Sequence, residues 1–428
     1  MSLSGDAVMS GLLDVGRPSA PALAVLRPPS EILFGPGMRH SLVWMAAREG
    51  RRAYVIVDPH LADQEEIAHL LETLQGKGLV VAVSREVAPE LPSDLALIVA
   101  EDARRHETDL IIAIGGGSCI DLGKVVATLL RHGGTPSDYY GEFNVPGPVV
   151  PLIAVPTTAG TGSEATPVAV VADAALGVKI GISSPYLIPR VAVCDPELTI
   201  TCPSGVTAAA GADALAHCIE ALTARSRPAT AALPQERVFV GRSRLTDTLA
   251  LEGVAALAAG LRASFLDPTD LSARTEAMYG SLLGGLAFGT AGTAAAHALQ
   301  YPIGVLTGTP HGVGVGCLLP YVMAYNRRER ITEMAAIARI FGATGTDADI
   351  AHLAPQLVRD SLTGLGIPRA LAEIGVTSEN VGTIAEQGVR AVRLSENNPR
   401  SLTVEGARTI VQAAVSGDLA AITAAENR

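Results

Sequence analysis

The chain has 428 residues, of which 48% are hydrophobic and only 4% aromatic, and its formal net charge is −11. This length is enough for two domains with sizeable cores, and apolar residues that are mostly Ala, Val, Leu and Ile suit an α/β or helical enzyme. The negative charge argues against a nucleic-acid partner. The sequence also lacks a cluster of lysine and arginine of the kind that binds an anionic membrane.

The first thirty residues have the composition of a flexible segment. They are rich in Ala, Pro, Ser and Gly, and Asp6 and Asp14 precede the first basic residue, Arg17. A signal or transit peptide carries positive charge early and few acids. We therefore predict that residues 1–30 are a flexible extension outside the fold.

The cysteines indicate a reducing compartment. There are five, at positions 119, 194, 202, 218 and 317, and no C-x-x-C occurs. An odd number of scattered cysteines is typical of reduced thiols and not of a disulfide framework or a zinc knuckle. We expect a cytoplasmic protein.

The next part of the chain alternates strand-like and helix-like patterns. Strands are predicted at 53–58, 79–84 and 110–114, and helices at 61–78 and 93–109. This alternation predicts a parallel sheet. Apolar runs at 149–158 and 168–173 are expected to continue the same sheet, and 190–199 to form its last strand.

Three consecutive glycines follow the strand at 110–114 and precede a predicted helix. Gly115, Gly116 and Gly117 are followed by Ser118, and Ile120 stands where the G-x-G-x-x-G fingerprint has its third glycine. Glycine permits positive φ and lets a ligand approach the backbone, and a helix N-terminus attracts phosphate. The stretch therefore fits either a dinucleotide phosphate site or a tight turn without a ligand.

Two further features fit a nucleotide. A polar loop, PTTAGTGSE at 156–164, follows another predicted strand, and nucleotides cross the carboxyl ends of parallel sheets. Asp58 ends the strand at 53–58. Its carboxylate fits either an acceptor for a ribose hydroxyl, which would disfavour NADP, or a helix N-cap or turn residue.

The pattern changes after about residue 202. Alanine-rich helical stretches follow at 205–224, 245–265 and 272–300. Residues 225–244 interrupt them with prolines and five arginines, and we expect a surface excursion there, a lid or a subunit contact. The domains are thus predicted as a nucleotide-binding α/β domain at 31–202 and a helical domain at 203–428.

Residues 277–326 contain no Asp, Glu, Lys or Arg. A membrane span needs about 20 apolar residues, but this run is broken by glycines and prolines and carries two histidines. We predict a buried helical core around a polar site, and no membrane partner.

A metal site is indicated by one carboxylate and three imidazoles. Asp213 and His217 are four residues apart, so they share a face if they lie on a helix, and His297 and His311 fall in the uncharged run. Such ligands suit a divalent first-row metal, Fe²⁺ or Zn²⁺. Each histidine taken singly also fits a hydrogen-bonded core residue.

Five motifs together resemble one known family, the iron-containing (group III) alcohol dehydrogenases, over roughly residues 30–415. They are AIGGGSCIDLGK at 113–124, PTTAGTGSE at 156–164, DPELT at 195–199, GADALAHCIEA at 211–221 and TPHGVG at 309–314. The resemblance implies α/β plus all-α architecture like that of dehydroquinate synthase, with the active site in the cleft between an NAD-binding domain and a metal-binding domain.

The resemblance also implies roles for individual residues. The metal ligands are Asp213, His217, His297 and His311, and His311 is counted among the catalytic residues as well. The cofactor-binding residues are Asp58, Gly115, Gly116, Gly117, Ser118, Asp121, Thr157, Thr158 and Lys179. The glycines are then expected to clear space for the phosphates of NAD.

One position departs from the family pattern. Many alcohol-oxidising members have a further histidine four residues after the third ligand, and here that residue is Tyr301. In those family members the histidine is thought to transfer a proton or to contact the substrate. The resemblance therefore makes Tyr301 a candidate catalytic residue, or alternatively a packing residue of the pocket wall.

The expected activity is NAD-dependent, metal-assisted interconversion of an alcohol and an aldehyde or ketone in a homodimer or higher homo-oligomer. A hydroxyacid–oxoacid transhydrogenase with retained nucleotide, another dehydroquinate synthase-like enzyme and a silent NAD-binding protein are the alternatives. Retention of all four ligand positions argues against the silent protein, and the lack of basic residues at 277–326 argues against a polyanionic synthase substrate.

Overall fold

The structure, a computed structural model, describes residues 23–422 and contains a six-stranded sheet whose strands are all parallel. The six strands are β1 Glu31–Phe34, β2 Arg52–Val57, β3 Val80–Ser84, β4 Leu110–Gly115, β6 Leu152–Pro156 and β9 Val191–Cys194. Their order in the sheet is β1-β9-β6-β4-β2-β3. Every residue of β4, β6 and β9 is buried, as expected for parallel strands covered on both faces.

Helices cover this sheet. They are α1 Leu42–Glu49, α2 Glu65–Gly76, α3 Ser93–Arg105 and α4 Gly117–His132. Two separate apolar clusters result, one containing Ile111 and Ala113 and the other Leu110 and Ile112, because alternate side chains of β4 point to opposite faces. The predicted parallel-sheet architecture of the first half is confirmed.

The prediction that 168–173 continues the parallel sheet is wrong. This run forms β7, Val168–Asp173, in a second sheet with β5, Gly141–Glu142, and β8, Val178–Ser183. β7 pairs antiparallel with β8 along its whole length, since the short connection at 174–177 permits a hairpin but not a crossover.

The strand predicted last along the chain, within 190–199, is confirmed as β9. It lies inside the sheet between β1 and β6. One edge of the sheet is β3 and the other is β1, a short strand that the sequence analysis did not predict.

The second half is helical. Its helices are α5 Ser204–Thr223, α6 Leu233–Glu236, α7 Arg244–Leu266, α8 Leu271–Ala291, α9 Ala295–Thr307, α10 His311–Asn326, α11 Ile331–Ile340, α12 Asp347–Ile350, α13 Ala354–Thr363, α14 Val381–Arg390, α15 Val392–Asn397 and α16 Val404–Ser416. All of them except α6 and α15 contribute to one continuous apolar core. The predicted combination of an α/β half and an all-helical half is confirmed.

The single helix predicted at 272–300 is two helices. α8 and α9 are separated at 292–294 and meet at an angle of 102°. Gly292 has φ +82°, a conformation that glycine adopts without steric cost. The break brings the start of α9 to α5, where the carboxylate of Glu220 accepts from the amides of Ala294 and Ala296.

Residues 225–244 are more than a surface excursion. The tip around 228–232 is exposed, but Val238, Phe239 and Val240 are buried. The amide of Val240 donates to the carbonyl of Thr290 at 2.9 Å. The second part of the segment is therefore packed onto the end of α8.

Most of the predicted N-terminal extension, 1–30, lies outside the described residues. Within 23–30, the guanidinium of Arg27 donates to the carbonyl oxygens of Val238 and Pro234 at 2.7 and 2.8 Å. This end of the segment thus contacts the helical half.

Among residues 23–422, one helix, α7, is long and apolar enough to cross a membrane, and the bent pair α8 and α9 passes the same test jointly. Half of the most apolar window of α7 is buried inside the protein. All five cysteines are unpaired, and four of them are buried.

Candidate active site

Three imidazoles converge on one carboxylate oxygen in the second half of the chain. The Nε2 atoms of His297, His311 and His217 lie 3.5, 3.7 and 3.8 Å from Oδ1 of Asp213. Ligand atoms about 2.1 Å from a tetrahedral metal are about 3.4 Å apart. The spacing therefore leaves room for one small divalent cation.

The tightest part of the cluster contains three of the four predicted ligands. Donor atoms of Asp213, His297 and His311 all lie within 4.8 Å of one another. His217 is outside that mutually close set, and its ring stacks between Phe288 and His297 at centroid distances of 4.1 and 4.8 Å. Both residues of the α5 pair nevertheless face the cluster.

Each histidine uses its other ring nitrogen to hold its orientation. Nδ1 of His297 lies 2.6 Å from the carboxylate of Glu220, and Nδ1 of His311 lies 2.6 Å from the side-chain oxygen of Gln300. Nδ1 of His217 lies 3.4 Å from the carbonyl oxygen of Gly160. With Nδ1 engaged in this way, Nε2 is the nitrogen directed at a metal, an arrangement common in metalloproteins.

Two atoms at the centre of the cluster lack partners within the described part of the chain. They are Oδ1 of Asp213 and Nε2 of His297, both buried and without a hydrogen bond. Buried polar atoms are seldom left unpaired. A cation coordinated by this oxygen and this nitrogen satisfies both, so the residues fit a metal.

Three of the four groups in the cluster have protonation states that suit a cation, whereas the fourth, His297, has to release a proton before its Nε2 can coordinate one. Burial lowers the pKa of His217 to about 4 and that of His311 to about 3, which keeps both imidazoles neutral. Burial opposes ionisation of Asp213, but the neighbouring imidazoles outweigh it and hold its pKa below the usual range. For His297, burial is outweighed by Glu220 and Asp213, and its pKa rises to about 9.

Two of the predicted nucleotide residues, Asp58 and Gly115, lie where the strand order of the main sheet reverses. β2 leads outward to β3, whereas β4 leads to β6 on the other side. Such a switch point, at the carboxyl ends of the strands, is where open α/β sheets bind ligands. Asp58 follows β2 and Gly115 ends β4, and a Cβ on Gly115 would lie 3.1 Å from that of Asp58.

Asp58 has a structural role as well. Its Oδ1 accepts a hydrogen bond from the amide of His60 at 3.0 Å. The turn interpretation of this residue is therefore correct for one oxygen. The proposed ribose contact remains a prediction.

The three glycines differ in what they permit. A Cβ on Gly115 would lie 2.7 Å from Cβ of Cys119, and one on Gly117 would lie 2.4 Å from Cγ2 of Thr161. Both therefore allow close packing within the protein itself. A Cβ on Gly116 would be 3.4 Å from its nearest neighbour, Oγ1 of Thr158. Only at Gly116 does space for a phosphate remain as the explanation for why the residue is a glycine.

One cleft lies between the start of α4 and the metal cluster. It has about 880 Å³ of empty volume, part of which is open to solvent. The predicted residues that line it are Gly117, Ser118, Asp121, Lys179, Asp213, His217, His297, Tyr301 and His311. The predicted residues outside its lining are Asp58, Gly115, Gly116, Thr157 and Thr158. The cleft thus runs from the N-terminus of α4 to the metal cluster.

Two of the predicted cofactor residues are engaged by the protein. Asp121 accepts hydrogen bonds from Oγ of Ser163 at 2.5 Å and from the amide of Val170 at 2.9 Å. Lys179 forms an ion pair with Glu90 at the cleft wall. Asp121 therefore joins α4 to β7.

Tyr301 lies in the cleft beside His311, with ring centroids 6.3 Å apart. Burial raises the pKa of its hydroxyl. Its position agrees with either predicted role, proton transfer or packing.

Several residues of the site were missed by the sequence analysis. Glu220 carried a usable signal, because it follows His217 by three residues on the face of α5 that bears Asp213. Thr161 lies in the polar loop 156–164 that the sequence analysis singled out, whereas Phe239 and Arg393, which also line the cleft, carried no signal because they come from separate segments.

Comparison with known proteins covers most of the chain. Residues 29–196 match the family model described as iron-containing alcohol dehydrogenase, and residues 207–415 match the C-terminal model of the Fe-containing alcohol dehydrogenase family.

Individual relatives agree with these matches. The chain is 33% identical to long-chain-alcohol dehydrogenase 1 of Geobacillus thermodenitrificans, over 85% of this chain and 90% of that protein. It is 30% identical to the NAD-dependent methanol dehydrogenase of Bacillus methanolicus, over 85% and 92%. A crystal structure of 1,3-propanediol oxidoreductase superposes with a TM-score of 0.85 at 29% identity, covering 92% of this chain and 100% of that one.

Proposed function

Because this chain belongs to the iron-containing alcohol dehydrogenase family, we propose that its cleft interconverts an alcohol and an aldehyde or ketone, with NAD and one divalent metal. The observation that carries this proposal is the convergence of three Nε2 atoms on the unpaired, buried Oδ1 of Asp213. That cluster faces the same cleft as the N-terminus of α4.

The metal and the nicotinamide cofactor supply different parts of the reaction. When bound, the metal supplies Lewis-acid polarisation of the substrate oxygen, and the nicotinamide supplies or accepts the hydride. The ligands we propose are Asp213, His217, His297 and His311. Fe²⁺ is favoured over Zn²⁺ because the matching family is iron-containing.

The protein's own residues bind and orient. We assign the cofactor phosphates to the backbone at Gly116, Gly117 and Ser118, where helix amides and partial positive charge favour anions. Asp58 is assigned to the adenosine ribose, and Asp121, Thr157, Thr158 and Lys179 to the walls of the cofactor cleft. Phe288, stacked on His217, keeps water from that side of the cluster.

The proposed domains follow from these residue assignments. We propose residues 31–202 as the NAD-binding domain and 203–428 as the metal-binding domain. A cytoplasmic location and a homo-oligomer remain proposals. The relatives named above are dehydrogenases, so the transhydrogenase alternative is not favoured.

The proposal is tested by metal content and turnover together. We expect about one divalent metal per chain, and oxidation of short alcohols with NAD. His297→Ala should remove both, while the far-ultraviolet circular dichroism spectrum stays the same. His352→Ala is the matched control, since His352 is exposed and outside the cleft lining. Full metal content and rate in His297→Ala would refute the site.

A further inference from the structure

We propose that Arg393 recognises an anionic oxo group, a carboxylate or sulfonate, on the substrate, so that the enzyme prefers short alcohols and aldehydes carrying such a group. This inference rests on the proposed function and adds the substrate class. It concerns the wall of the cleft that is formed by α15 and the segment 225–244.

The aromatic ring of Phe239 holds the side chain of Arg393 inside the cleft. Its guanidinium carbon lies 4.3 Å from the ring centroid of Phe239, and both side chains line the cleft with Tyr301 and His311. A guanidinium stacked on an aromatic face keeps its N–H donors in its own plane. They therefore remain available to a ligand.

The wall that carries this pair is held firmly. Nδ2 of Asn397, on α15, donates to the carbonyl oxygens of Ala291 and Thr293 at 2.9 and 3.1 Å. The amide of Arg225 donates to the carbonyl of Asn397 at 2.9 Å. The helix bearing Arg393, the segment bearing Phe239 and the break between α8 and α9 are thereby connected, so the backbone that carries Arg393 has a defined position next to Phe239.

The other charged groups of the cleft are engaged within the protein. Lys179 pairs with Glu90, and Asp121 is hydrogen-bonded to Ser163 and Val170. Asp213 faces the three imidazoles. In residues 23–422, Arg393 has no carboxylate partner within ion-pair distance, and it is the lining cation left to bind an anion.

Arg393 shares its cleft with the metal cluster, so one small molecule can contact both. The lining of that cleft includes Arg393, Tyr301 and the proposed metal ligands His297 and His311. Planar, bidentate hydrogen bonding makes a guanidinium the preferred partner of an oxyanion.

The experiment compares three alcohols that differ at one end. Initial rates of oxidation with NAD are measured for 1-propanol, 3-hydroxypropanoate and 2-hydroxyethanesulfonate, using the metal-loaded enzyme. We expect the carboxylate or the sulfonate to exceed 1-propanol in kcat/KM by about tenfold to a hundredfold, the range for hydrogen bonds to charged groups. The comparison of the two anions identifies which of them fits better.

Arg393→Gln should reduce that preference by a similar factor, because the KM for the anionic substrate should rise. Arg390→Gln is the matched control, because Arg390 is exposed at the end of α14 and outside the cleft lining; it should leave the preference as it is.

Three outcomes would overturn the inference. A wild-type enzyme that oxidises 1-propanol at least as efficiently as both anions contradicts it while leaving the proposed function intact. A change in KM for NAD alone in Arg393→Gln assigns this residue to the cofactor. If the metal-loaded enzyme oxidises no alcohol and reduces no aldehyde, the proposed function fails and the inference with it.

Discussion

The three histidines of the cluster are oriented by three chemically different acceptors: a backbone carbonyl, an amide and a carboxylate. The carboxylate, Glu220, does more than orient a ring. It also accepts from the amides of Ala294 and Ala296 at 2.9 and 2.7 Å. It therefore connects the start of α9 to the nitrogen that fixes His297.

Replacing Glu220 tests this dual role. We expect Glu220→Gln to lower metal affinity by about 10- to 100-fold, the usual effect of losing a partner that orients a metal ligand. Competition with a chelator measures the affinity. Glu252→Gln, a half-buried change on α7, should leave it unchanged, and equal affinities in both variants would contradict the role of Glu220.

Asp58 combines a turn contact with a proposed ribose contact, and one substitution separates them. Asp58→Asn retains an oxygen for the amide of His60 but removes the charge that opposes a 2′-phosphate. The ratio of kcat/KM for NADP to that for NAD should rise by about tenfold or more. Asp63→Asn, exposed nearby, is the control; an unchanged ratio in Asp58→Asn would remove this residue from the site.

Tyr301 is tested by removing its hydroxyl. Because burial raises the pKa of this phenol, it stays protonated at neutral pH, and we expect Tyr301→Phe to retain kcat within a few-fold. Proton relay through the hydroxyl would instead make kcat fall beyond about 100-fold, the lower end for general acid–base catalysis. Single-turnover rates of hydride transfer distinguish the two roles.

At the scale of elements, the turn from β4 into α4 and the break between α8 and α9 shape the site. Gly117 lets the start of α4 pack against Thr161 in the loop after β6. The break lets α9 turn through 102°, so that His297 faces Asp213. Both are close approaches of backbone segments that are remote in the chain.

The glycine turn gives a prediction that separates folding from binding. A Cβ on Gly117 would meet Thr161 at 2.4 Å, so Gly117→Ala should lower the free energy of unfolding by about 1–3 kcal/mol, the cost of overpacking. Gly116→Ala meets nothing closer than 3.4 Å and should raise KM for NAD with little change in stability. Urea denaturation and steady-state kinetics measure the two effects, and a stable Gly117→Ala enzyme would contradict the packing argument.

At the scale of the whole molecule, the two halves meet around a small apolar cluster. It contains Ala165, Ala192 and Cys194 from the first half and Met278 and Leu282 from α8. Next to it lies Glu164, which is buried with 3% exposure. Burial raises the pKa of this carboxyl to about 7 from 4.5.

This carboxyl links stability to pH. Between pH 4.5 and about 7 the folded state keeps a proton that the unfolded chain releases, so the free energy of unfolding falls as pH rises. The loss is on the order of 3 kcal/mol. Glu164→Gln should flatten this dependence, as measured by urea denaturation from pH 4.5 to 7.5. Parallel curves for the two proteins would contradict it.

Much of the architecture was determined by residues that are neighbours in the chain. The alternation of apolar runs and helical patterns specified the strands around 53–58 and 110–114 and the helices that follow, because periodicity is a local property. The spacing of Asp213 and His217 likewise placed two polar groups on one face of α5.

Only the tertiary structure decided how remote segments meet. An apolar run such as 168–173 does not specify its partner strand, and this one joined a second sheet through a hairpin. The break at 292–294 brought His297 and His311 to Asp213, and the packing of 225–244 onto α8 placed Phe239 under Arg393. These arrangements depend on contacts between residues far apart in sequence, and a pattern read along the chain does not contain them.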